Sequence, residues 1–200
     1  MERNPERTRE GILAAAEGEF SAKGFAGARV DAIARRAHVN KRMLYHYFGN
    51  KQGLFREILL RKMTHADSPF RAPEELAGGP AEHFLHFEQA NFDDLNFIRL
   101  LQWEALEGGS RRVTGEDERG EAQRRGVEMV RMAQLAGLLP SDLDPAQLLL
   151  AFIGIITFPV AFPQMARLVT GLAPTDPEYR RQRRAFLARL ADYLSMTVDG

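Results

Sequence analysis

Two hundred residues carry 27 Lys+Arg against 27 Asp+Glu, so the formal charge is zero and the chain is no bulk polyelectrolyte. Zero cysteine excludes disulfides, thiolate nucleophiles and Cys-ligated metal centres, and it fits a reducing, cytoplasmic setting. The charge is nevertheless polarised: residues 24–65 hold 9 basic side chains against 2 acidic ones, Asp31 and Glu57, so one end of the chain is built for anions.

The first ten residues, MERNPERTRE, are charged where a secretory peptide needs an apolar stretch. Asn4-Pro5 predicts a helix start, a capping side chain followed by a proline that has no N–H to leave unsatisfied. Ile12, Leu13, Ala16 and Phe20 follow at helical spacing, and Gly24 predicts a left-handed close. Val30, Ile33, Ala34 and Ala37 mark a second, short helix. His38-Val39-Asn40 interrupts the pattern before a third, Lys41 to Phe48. Asn50 starts a fourth, running to about residue 65, with Leu54, Phe55, Ile58, Leu59 and Met63 as its stripe.

Pro69, Pro73, Gly78, Gly79 and Pro80 crowd too many helix breakers together for one helix, so the sequence divides into domains 1–65 and 66–200. Every periodic segment beyond is again helical: 81–94, 95–107, 115–136, an apolar helix over 146–169 and an Arg-rich helix over 177–196. The apolar run Leu148 to Phe162 contains Pro159 and falls short of a spanning helix, so no membrane role is expected. The fold class is all-α.

A short helix, a tight turn and a second short helix is the arrangement that sets one helix into the major groove of DNA. Arg35, Arg36, Lys41, Arg42 and Lys51 gather round the turn, interleaved with Tyr45, His46 and Tyr47. Residues 8–59 resemble the DNA-binding domain of the TetR family of transcriptional regulators. The resemblance lies in Ile12-Leu13, Ala15-Ala16, Phe20, Gly24-Phe25, Val30, Ile33-Ala34, Ala37, Val39, Leu44-Tyr45, Phe48, Lys51 and Leu54-Phe55.

The resemblance implies that Lys41 to Phe48 is the recognition helix, capped by Asn40. Lys41, Arg42, Met43 and His46 would then meet bases or nearby phosphates, while Tyr45, Tyr47 and Lys51 clamp the backbone. Two residues depart from the family pattern. Arg29 stands where a Thr or Ser cap is usual and becomes a candidate phosphate contact, and His38 replaces a frequent glycine.

In the second domain, Phe84, Phe87, Phe92, Phe97, Trp103, Met129, Met132, Phe152, Phe158 and Phe162 are candidate walls of an apolar effector cavity, or ordinary core. Gln102 and Glu104 are candidate orienting groups. Leu148, Phe152, Ile155, Ile156, Phe186, Leu187, Leu190 and Leu194 are candidates for a two-fold dimer interface.

These readings combine in a homodimeric repressor that leaves a near-palindromic double-stranded operator when a small apolar molecule binds, with no cofactor. The alternatives are an activator of the same fold, a helical interaction module, and a metal-dependent enzyme built on His83 and His86. The last lacks any phosphate-cradling loop, HExxH motif or nucleophile elbow.

Overall fold

The computed structural model describes residues 4–64, 79–108 and 113–196. Among them it forms helices only: α1 (Pro5–Gly27), α2 (Val30–Arg36), α3 (Lys41–Phe48), α4 (Lys51–Thr64), α5 (Gly79–Asp93), α6 (Leu95–Gly108), α7 (Glu116–Leu135), α8 (Pro145–Ala161), α9 (Pro163–Thr170) and α10 (Pro177–Met196). The chain is all-α.

Two compact units result, Met1–His65 with Asn96–Arg119, and Ala66–Leu95 with Gly120–Gly200. The sequence expects one change of domain near residue 65, whereas the chain returns to the first unit for residues 96–119. The reason lies in packing. Leu100 of α6 is fully buried, and Phe97 and Leu101 lean on the same core as Ile12, Phe20, Leu44, Leu54 and Leu59. Polar contacts pin the same segment: the Trp103 indole N–H donates to the Ser21 carbonyl at 3.2 Å, Asn96 donates to Glu17 at 3.3 Å, and Arg56 pairs with Glu118. Apolar periodicity announces that a helix will be buried but not against which partner.

In the first unit, Asn4 caps α1 by accepting the Glu6 N–H at 2.9 Å. Gly24 has the expected positive φ of 72° but an extended ψ of 176°, so it kinks the chain, and helical turns resume as far as Gly27. α4 lies along α1, tied by Arg61–Glu10 at 2.6 Å, Lys62–Glu17 at 3.0 Å and Arg9–Glu57.

In the second unit, α5 packs against both α8 and α10. Its Phe84 and Phe87 join Ile156 and Ala191 in a core, and Phe84 meets Phe152 edge-on at 4.5 Å. Asp144 caps α8 through the N–H groups of Ala146 and Gln147. The single apolar helix expected over 146–169 is two helices meeting at 91°. Pro163 explains the break, because a proline disfavours helical backbone in the residue before it and starts α9 at no hydrogen-bond cost. Among the described residues no single helix is long and apolar enough to cross a membrane.

Candidate nucleic-acid interface

The turn between α2 and α3 is shaped by residues 37–40. Ala37 N–H bonds to Ile33 O at 2.9 Å and Val39 N–H to Ala34 O at 3.0 Å. His38 between them takes φ 54°, the left-handed region where glycine is easiest, which accounts for the glycine expected there. Histidine is among the non-glycine residues found in that region more often than most. Asn40 then caps α3 by accepting the Met43 N–H at 2.8 Å, and Gly49, at φ 72°, closes it.

Leu44 is completely buried, and Tyr47 and Phe48 lean on the first core. That inner face leaves Lys41, Arg42, Tyr45 and His46 exposed on the other, at i, i+1, i+4 and i+5. Met43 and Tyr47 are half-buried at the edge of this surface. Lys41 is not loose: its ammonium lies 3.1 Å from Asp31 of α2, and the hydrogen bond to that carboxylate raises its pKa above the ordinary lysine value.

Arg29 precedes α2 without a side-chain cap of its own. Glu19, a buried carboxylate of α1, serves that end instead, accepting the Arg29 N–H at 3.3 Å and the Lys23 ammonium at 2.8 Å. The Lys23 hydrogen bond, aided by the Arg29 N–H and opposed by burial, holds the Glu19 carboxyl below the ordinary glutamate range. The Arg29 side chain is left exposed. Lys51 opens α4 with its ammonium 3.4 Å from the Ala26 carbonyl and 4.8 Å from the centre of the Phe25 ring. The surface therefore presents the exposed side chains of Arg29, Lys41, Arg42, Tyr45 and His46, cations and hydrogen-bond donors of the kind that nucleic-acid groups accept.

A family model described as bacterial regulatory proteins, tetR family, matches residues 12–58, and one for the tetracyclin repressor-like C-terminal domain matches residues 88–192. The chain belongs to the TetR family. The HTH-type transcriptional repressor SCO4008 of Streptomyces coelicolor is 36% identical over 170 residues, covering 84% of this chain and 86% of that protein. The repressor NicS of Pseudomonas putida is 48% identical over 54 residues, 27% of this chain and 26% of its own length. Among solved structures, the putative transcriptional regulator SCO4942 from Streptomyces coelicolor superposes with TM-score 0.72 at 28% identity, covering 93% of this chain and 97% of the other. The hemolysin II regulator HlyIIR shares the fold, with TM-score 0.66 at 18% identity and coverage of 96% and 99%. As a TetR-family member the chain is a helix-turn-helix DNA-binding regulator of transcription.

The other candidate residues are distributed less simply. Gln102, Trp103 and Glu104 belong to the first unit, together with Phe97, and not to a wall of the second. Glu104 there pairs with Arg119 at 2.6 Å and accepts the Thr114 N–H at 3.0 Å. Phe84 and Phe87 are buried in the second unit and Met129 is half-buried on α7, whereas Phe158 and Phe162 are exposed and lie 5.2 Å apart.

Of the dimer candidates, Leu148, Ile156 and Leu187 are buried in their own chain. Phe152, Leu190 and Leu194 are half-buried, and only Ile155 and Phe186 are exposed. Burial drives the His83 imidazole below its ordinary pKa, with His86 adding like charge. Among the described residues no group of three or more His, Cys, Asp or Glu could hold a metal.

Sequence reasoning missed Glu88, whose fully buried carboxylate oxygens accept no hydrogen bond while Arg184 stands 3.7 Å away. A local signal was present in its spacing, four residues after Phe84 and three before Asn91 on the buried face of α5, but its charge argues for an exposed position.

Proposed function

We propose that the protein is a homodimeric repressor that holds a near-palindromic operator with α3 of each protomer and releases it when a small molecule occupies the second unit. The observation that carries the DNA half is the face of Lys41, Arg42, Tyr45 and His46, exposed on a helix fixed from behind by buried Leu44. Repression is supported by the likeness, along most of the chain, to the transcriptional repressor SCO4008 of Streptomyces coelicolor. Work on DNA places such a regulator in the cytoplasm.

Dimerisation is supported by the outer face of α8, where Leu150, Ala151, Gly154, Ile155 and Phe158 run at helical spacing and are all exposed. A Cβ added at Gly154 would meet nothing within 4 Å in its own chain, so a second helix can approach closely there. Phe186 and Tyr193 extend the apolar surface on α10. An unpartnered apolar surface of this kind marks an interaction site, and two-fold pairing of it carries two recognition helices to two half-sites.

For the effector, Phe84, Phe87 and Met129 supply apolar surface in the second unit, and Glu88 supplies a buried acceptor. The decisive experiment selects the operator from random duplexes with the full chain, then screens apolar compounds for release of that duplex. Recovery of no preferred sequence would defeat the DNA reading; a specific complex that no compound releases would defeat only the sensor.

A further inference from the structure

The bend that joins α1 to α2 is held from three sides. Gly24, at φ 72°, lies beneath the Trp103 ring, where an added Cβ would come within 2.8 Å of that ring. Two residues on, the Ala26 N–H donates to both carboxylate oxygens of Glu107, at 3.1 and 3.2 Å. The Ala26 carbonyl accepts from the Lys51 ammonium at 3.4 Å. One residue of the bend is thus gripped on its N–H side by α6 and grips α4 on its C=O side.

We propose that Glu107 is a positioning residue for DNA binding: acting through Ala26, it holds the Lys51 ammonium where a phosphate oxygen meets it. The inference rests on the reading of Lys51 as a backbone contact. A lysine head on a four-carbon stem samples many rotamers, and ordering it on the nucleic acid costs free energy at the moment of binding. Here the ammonium is anchored beforehand by the Ala26 carbonyl and the Phe25 ring, with its remaining N–H bonds free for an anion. The anchor keeps its place only while the bend does. The bend carries Gly24 and Gly27, which give it little stiffness of its own, so the fixed point must come from outside it. Glu107, held on a helix whose Leu100 is in the core and whose Trp103 is bonded to Ser21, supplies that point.

A naked carboxylate this close to a phosphate-binding lysine would simply repel DNA, so the proposal predicts the opposite sign from plain electrostatics. The test is a double-mutant cycle on operator binding by the full chain, with thermal unfolding measured alongside. Glu107→Ala is expected to weaken operator binding about 5-fold without altering base preference, a size usual for directly coupled groups. Glu107→Gln keeps a carbonyl acceptor for the Ala26 N–H and is expected to bind like the parent. In a Lys51→Ala background, Glu107→Ala is expected to change nothing further. An equal loss in both backgrounds, tighter binding by Glu107→Ala, or a Glu107→Gln as weak as alanine would each overturn the positioning role. If Lys51→Ala itself leaves affinity untouched, the backbone-contact reading of Lys51 falls and takes the inference with it.

Discussion

The Arg183 guanidinium of α10 donates to the Ile155 carbonyl of α8, the acceptor that Pro159, having no N–H, cannot serve. A helix-breaking residue in the last turn of an apolar helix is thereby tolerated, because a side chain from a neighbouring helix replaces the missing bond. Arg183→Met is expected to cost about 1 kcal/mol of stability, the net worth of one hydrogen bond, because the freed carbonyl can be reached by water. Pro159→Ala restores the backbone donor, so Arg183→Met should cost clearly less in that background. Urea unfolding of the four variants measures the coupling, and additive losses would show that the arginine does something else.

Glu19 does for α2 what a capping side chain usually does, so Glu19→Ala is expected to cost about 2 kcal/mol, in line with loss of charge-assisted hydrogen bonds. Its lowered pKa also fixes a sign. The stabilisation is fully present above the ordinary glutamate pKa and is lost as pH falls toward the folded value. Unfolding midpoints followed from pH 7 to pH 3 should fall less steeply in Glu19→Gln than in the parent.

Glu88 has the opposite sign. Burial raises its pKa, against the opposing charges of Arg180, Arg184 and Arg183, so the folded chain binds that proton more tightly than the unfolded one. Its contribution therefore declines as pH rises from the ordinary carboxylate value through the folded one. Glu88→Gln is expected to be at least as stable as the parent at pH 7, with the difference shrinking on acidification. A strongly destabilised Glu88→Gln would mean that the carboxylate charge is needed by the arginines around it.

Within the DNA-facing surface, Arg42→Ala is expected to change base preference, because a base-edge contact carries about 1–3 kcal/mol of discrimination. Lys51→Ala and Tyr45→Phe should weaken all sequences alike. Lys51→Ala should also lower the log–log salt slope by about 0.9, the value of one phosphate contact. Competition against single-base operator variants at several salt concentrations separates the two kinds of residue.

Gly154→Leu adds bulk at an exposed position where a Cβ meets nothing within 4 Å of its own chain, and it removes a helix-weakening glycine, so the fold should hold or gain up to about 1 kcal/mol. Sedimentation should nevertheless show weaker dimerisation and poorer specific binding. Leu187, by contrast, is fully buried in its own chain, so a charge placed there would disturb the core rather than the interface. An unchanged dimer would place the interface away from this stretch of α8.

The parts of the molecule legible in the sequence are those governed by local rules. Asn4-Pro5, Asn40 and Asp144 cap helices because the rule involves residues two or three apart, and Leu44 can be placed in the core from spacing alone. Glu19, serving Arg29 from ten residues away, and Glu107, bonded to Ala26 from eighty-one away, obey no such rule. The exposed face of α3 was readable for the same reason that the partner of α6 was not. A helix of eight residues shows its two sides in its own period, but the surface that will cover a helix is decided elsewhere in the chain.

Trp103 is the one tryptophan in the chain, and its indole N–H is bonded to the Ser21 carbonyl beside Gly24. The intrinsic emission of the protein therefore originates beside the bend that leads into the helix-turn-helix. A change in its wavelength or quenching on adding a compound would be an optical signal from the first unit, obtained without any label on the nucleic acid. The same indole would leave compounds that contact only the second unit spectroscopically silent unless their effect travels as far as Ser21.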